Sequence, residues 1–188
     1  MAKNMNIKPI PTTYNGIKYR SRLEARWAIF FDELGIKFEY ELEGFEFENG
    51  KRYLPDFYLT ELCTYVEIKP TVNVPVKEIS KMCDLVFNDQ TKRLLLICGS
   101  PGKEEMWFIQ VWDKEVHIDS YNKTGVFESE EEIVSEFLSN SDNVMFHPLI
   151  YGSPRWSFAF KTLPAPIEYQ LMEAHKASQF QWNPKDGK

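Results

Sequence analysis

The chain has 188 residues, 43% hydrophobic and 15% aromatic, with a formal net charge of −6. That is enough apolar material for one core of ordinary size, so a single domain over residues 1–188 is the expectation. The charge excludes a protein coated in positive potential, no apolar run reaches the roughly 18 residues of a membrane span, and the basic start lacks the apolar stretch of an export signal. These features predict a soluble, cytoplasmic chain with no membrane partner.

Cys63, Cys83 and Cys98 are an odd set at spacings that match neither a disulfide framework nor paired zinc knuckles, and they read as reduced cysteines. The charge is uneven. Residues 1–27 carry Lys3, Lys8, Lys18, Arg20, Arg22 and Arg26 against Glu24 alone, so one basic face can meet a polyanion although the whole chain is acidic.

In chain order, residues 21–34 place Leu23, Trp27, Phe30 and Leu34 at helical spacing, with Gly35 as the stop. Residues 37–48 alternate as a strand with an irregularity near Gly44, and Asn49-Gly50 signals a hairpin turn. Residues 51–59 return as a second strand, and residues 63–69 form a third. Pro75 suits the first turn of a second helix whose buried stripe is Val76, Ile79, Cys83 and Val86. The apolar run 93–98 reads as a central strand, residues 106–118 as one or two more, residues 128–138 as an acidic helix, and residues 168–180 as a last helix. Helix, three strands, helix, strand is an α/β or α+β order with a crossover helix.

Two strands in this scaffold carry unexpected charge. Glu67 and Lys69 are two apart, so their side chains share one face while Val66 and Ile68 point the other way. If residues 51–59 form the neighbouring antiparallel strand, Asp56 projects beside them, because Pro55 lacks a backbone donor and loosens the pairing there. Clustered carboxylates suit a hard divalent cation such as Mg²⁺, and a lysine beside one can orient or deprotonate a water and neutralise a phosphate. Glu24 has two readings. With Ser21 it fits a capping box, and on the face of Trp27, Ala28 and Phe31 it is also suited to a metal site or its support.

The stretches YNGIKYRSRLEARWAIFFDELGIKFEYE, YLPDFYL and YVEIKP resemble the PD-(D/E)XK nuclease superfamily, in particular its small phage-type endonucleases. The resemblance covers residues 14–70 and continues more weakly through the second helix and the next strand, with residues 101–188 as additions to the same domain. It implies a restriction-endonuclease-like αβββαβ core, a mixed central sheet flanked by helices, and hydrolysis of DNA phosphodiester bonds with Mg²⁺ or, as a substitute, Mn²⁺. By position, Asp56 and Glu67 would be metal ligands with the Ile68 carbonyl, Lys69 would serve water and phosphate, and Glu24 would be the helix-borne acid.

Tyr19, Arg20, Arg22 and Arg26 are candidates for strand-backbone phosphate, with Lys18 and Lys176 weaker ones. His117 and His147 lack a second histidine at metal spacing and read as structural or surface residues, and His175 reads as a partly buried, structurally satisfied histidine more than as a ligand or base. Trp107, Trp112, Trp156 and Trp182 read as core more than as base-stacking platforms. A homodimer with two active sites would suit double-strand or junction cleavage. The other reading is a non-catalytic protein of the same fold that binds nucleic acid or a protein partner.

Overall fold

The computed structural model describes residues 8–89, 92–101, 105–112, 115–119, 124–127, 173–174 and 176–179. The chain opens with a hairpin of β1 (Thr12–Tyr14) and β2 (Ile17–Tyr19), then α1 (Arg22–Glu33). Next come β3 (Phe38–Tyr40), β4 (Phe45–Glu46), β5 (Arg52–Tyr53), β6 (Phe57–Leu59) and β7 (Thr64–Lys69). After α2 (Val76–Asn88), β8 (Arg93–Cys98), β9 (Glu105–Trp112), β10 (Glu115–Asp119) and β11 (Thr124–Phe127) follow.

The central sheet has seven strands in the order β11-β10-β9-β8-β7-β6-β3. Only β7 and β8 run parallel, which makes the sheet mixed, and the α2 crossover between them is the kind of connection a parallel pair needs. The two helices take opposite faces, as period-2 alternation dictates. Val66, Ile68, Leu95 and Ile97 pack in one core with Trp27, Phe30 and Phe31 of α1. Tyr65, Leu94, Leu96 and Cys98 pack in a second core with Ile79, Met82, Cys83, Leu85 and Val86 of α2.

The expected helices form, with small shifts. Ser21 caps α1, its hydroxyl accepting from the Glu24 amide at 3.1 Å, and Gly35 stops it at φ +68. Pro75 is the N-cap of α2 instead of a first-turn residue, and Val76 is 54% exposed, outside the stripe that Ile79, Cys83 and Val86 build as expected.

The two long strands expected at 37–48 and 51–59 are each divided. Glu41 takes φ +49, turning the chain out of the sheet after β3, and Pro55 has no N–H to continue a ladder after β5. The breaks match: β4 pairs with β5 in a separate two-stranded sheet around the Asn49-Gly50 turn, and β3 pairs with β6 in the main one. The Glu41 amide donates to the Asp56 carbonyl at 3.0 Å, joining the two breaks.

β9 and β10 bear out two strands after β8. The helix expected at 128–138, the segment 141–166, His147, His175, Trp156 and Trp182 lie outside the described residues, while residues 173–174 and 176–178 are helical. No helix among the described residues is long and apolar enough to cross a membrane.

Candidate active site

The register of β6 and β7 explains why an acid follows a proline here. Phe57 pairs with Val66, so continuing the ladder would set Pro55 opposite Ile68. Proline donates nothing, and the Asp56 carboxylate takes the Ile68 N–H instead, at 2.7 Å through Oδ2. The proline ends the strand pair and the aspartate fills the gap.

One residue further along β7, alternation turns Glu67 and Lys69 to the α2 face. The Lys69 ammonium lies 2.7 Å from Glu67 Oε1, and the buried Tyr53 hydroxyl donates to Oε2 at 2.9 Å. Glu78, in the first turn of α2, is 3.7 Å from Lys69 and 3.3 Å from Lys81. These groups open into a cleft of about 430 Å³ that Arg20, Glu24, Asp56, Glu67, Ile68 and Lys69 help to line.

Glu24 makes the contacts of its capping reading and also stands at the cleft. Its Oε1 accepts from Ser21 Oγ at 2.6 Å, while Oε2 accepts from the Arg20 amide at 3.1 Å and the Tyr40 hydroxyl at 2.6 Å. The capping box is therefore made, with the glutamate reaching the amide before the cap residue. The same carboxylate lines the cleft and acts electrostatically on Asp56.

Glu24, Asp56 and Glu67 are 7%, 4% and 5% exposed, a degree of burial at which unanswered carboxylates are costly. Burial, then the charges of Glu67 and Glu24, push the Asp56 carboxyl well above its ordinary range, against the opposing Ile68 N–H and Arg20. Burial lowers the Lys69 ammonium, but Glu67, then Asp56 and Glu78, outweigh it and leave the pKa raised. Lys69 therefore faces the cleft as a cation that donates. An ammonium held between Glu67 and Glu78 in this way is suited to orienting and neutralising a bound group.

Asp56 and Glu67 follow one plan. Each gives one oxygen to a structural donor, Ile68 N–H or Tyr53, and the other to a cation, Arg20 or Lys69. Among the described residues no group of three or more His, Cys, Asp or Glu is placed to hold a metal ion. The donor set still fits Mg²⁺, which is commonly held by one or two carboxylates and completed by water and phosphate oxygens. Asp56, Glu67 and the Ile68 carbonyl would supply the protein's share.

The basic candidates divide. Arg20 stands at the cleft, its guanidinium 2.6 Å from Asp56 and 2.7 Å from Glu41, with its side chain 52% exposed. Arg22 and Arg26 are half-buried on α1, each with a buried Nε that has no hydrogen-bond partner among the described residues. Tyr19 is corrected: at 1% exposure its ring packs on Tyr40 and Phe57, so it belongs to the core and not to a phosphate-facing surface. Sequence reasoning missed Tyr40, Tyr53, Glu41 and Glu78. Tyr53 carried a usable signal, lying three residues before Asp56 in the stretch 51–59 that the sequence sets beside the strand of Glu67.

Compared with models of known families, with curated proteins and with solved structures, the chain matches none.

Proposed function

We propose that the chain is a metal-dependent nuclease of the PD-(D/E)XK type, hydrolysing phosphodiester bonds in DNA as an endonuclease. The observation that carries this reading is the meeting of Asp56, Glu67 and Lys69 in one cleft, with Glu24 of α1 beside them. With the separate β4-β5 hairpin set aside, the helices and main-sheet strands from α1 to β8 run α1, β3, β6, β7, α2, β8, which is compatible with the αβββαβ order that the resemblance implies.

Bound at Asp56 and Glu67, Mg²⁺ or Mn²⁺ would polarise the phosphate and lower the pKa of an attacking water. The chain's own residues do the rest. Tyr53 and the Ile68 N–H hold the two carboxylates in place. Lys69 directs its ammonium to the water or to a phosphate oxygen, where a fixed charge in a partly dry cleft stabilises developing negative charge. Arg20, at the mouth, offers a forked donor to the strand backbone, a contact that positions DNA without reading its sequence. Recombination, junction resolution and genome processing, in a phage setting, are roles that suit such an enzyme.

The ion pairs Arg20–Asp56 and Lys69–Glu67 favour a second reading, since they neutralise the acids internally. In that case the chain would be a non-catalytic binder of nucleic acid or of a protein. A cleavage panel of single-stranded, duplex, flapped and four-way-junction DNA, with Mg²⁺, Mn²⁺ or EDTA, separates the two. Metal-dependent cutting that falls at least about a thousandfold in Glu67→Ala is the expected result. Binding without cutting by the wild type would favour the second reading.

A further inference from the structure

Asp56 Oδ1 is claimed twice. It is the oxygen not tied to the backbone, and therefore the one through which Asp56 would reach a cation, yet the Arg20 guanidinium holds it at 2.6 Å. Arg20 is also held by Glu41, at 2.7 Å from Nε, so the same fork spans a buried acid and a half-buried one. Glu41 is placed there by a left-handed backbone turn at φ +49, a conformation that costs free energy in a residue with a side chain. The Glu41 amide is anchored on the Asp56 carbonyl, which fixes the spacing of the two acids. Of the two carboxylates that the Arg20 guanidinium meets, Asp56 is the deeply buried one and Glu41 the outer one.

We propose that Arg20 is an exchangeable counter-ion of Asp56. A divalent cation displaces its guanidinium from Oδ1, and Glu41 retains the arginine at the cleft mouth, where it turns to a phosphate of the bound strand. Metal occupancy and strand binding then strengthen each other, and by linkage each does so by the same factor. This inference rests on the nuclease reading for the identity of the strand. The competition for Asp56 is independent of turnover.

Two binding measurements on the full chain test it. In calorimetric titration with Mn²⁺ alone, Arg20→Gln should bind about three- to tenfold more tightly than wild type, because the competitor is gone. Arg52→Gln removes a positive charge that lines the same cleft but pairs with Glu46, so it reports the general effect of charge and should change affinity less. Glu41→Gln should weaken Mn²⁺ binding, since Arg20 then concentrates on Asp56. In fluorescence anisotropy with a labelled DNA duplex, Ca²⁺ should tighten binding to wild type and have a much smaller effect on Arg20→Gln. If Arg20→Gln does not fold, Arg20→Lys, which loses the fork but keeps the charge, should show the same direction in smaller size.

Unchanged or weaker Mn²⁺ binding in Arg20→Gln, or a gain equalled by Arg52→Gln, would overturn the exchange while leaving the nuclease reading intact. Absence of Mn²⁺ binding in both wild type and Arg20→Gln would remove the metal site itself, and with it both the exchange and the nuclease reading.

Discussion

On the α1 face of β7, Val66 and Ile68 enter a core built from Trp27, Phe30, Phe31 and Phe57. On the α2 face, Glu67 lies between the two with almost the same burial, and it requires a tyrosine hydroxyl and a lysine to be tolerated there. The apolar face needs only shape, because dispersion and the hydrophobic effect have no direction. The charged face needs every oxygen answered by a particular donor. A hydrophobic pair at 67 and 69 would meet the needs of the sheet with fewer conditions, and the proposed chemistry is what would give the acid and the lysine a purpose there.

Substitutions on the two faces sharpen that contrast. Phe57→Ala opens a cavity where Tyr19, Phe31, Phe38 and Tyr40 all meet the lost ring. It should cost about 3–5 kcal/mol, measured by denaturant unfolding, and a cost under about 1 kcal/mol would mean the α1 core is not the main support. Lys69→Met on the other face leaves buried Glu67 with Tyr53 as its remaining partner, so it should lower the unfolding midpoint measurably while the chain still folds, and lower turnover about a hundredfold with Mn²⁺ binding retained. An active Lys69→Met enzyme would take lysine out of the mechanism.

Tyr19→Phe makes the smallest change. The Tyr19 hydroxyl is buried with no hydrogen-bond partner among the described residues, so its removal should be neutral or stabilising by up to about 1 kcal/mol. DNA affinity, followed by anisotropy, should not move. A clear loss of affinity would return Tyr19 to the interface from which its burial removes it.

Much of this was legible in the sequence, for identifiable reasons. Helical spacing in residues 21–34, a serine cap and a following glycine all agree, and α1 forms almost as read. The opposed faces of β7 follow from alternation alone. The divisions of the two early strands were harder to see, since Glu41 adopts a left-handed turn that no glycine announces. Tyr19 was misplaced for a related reason: basic neighbours made it look superficial, while its own ring is drawn into an aromatic cluster assembled from three distant segments. The tyrosine donors to Glu24 and Glu67 depend on strand pairing, which spacing along the chain does not specify.

On the proposed function the charges of the cleft serve chemistry at a cost to the fold, and Asp56→Asn measures both sides of that exchange. The amide can still accept from Ile68 N–H, and it removes a buried charge whose partner Arg20 is half in solvent. Thermal midpoint and Mg²⁺-dependent cleavage should be measured on the same preparations across pH. Below the ordinary Asp value of 3.8, Asp56 is protonated in folded and unfolded chains alike and costs nothing. Above it the unfolded chain ionises first, because the folded-state pKa is raised, so wild-type stability falls relative to Asp56→Asn as pH rises. Asp56→Asn should be more stable than wild type at neutral pH by about 1 kcal/mol, with cleavage lost. A variant that is less stable at neutral pH, or one that still cleaves, would contradict it.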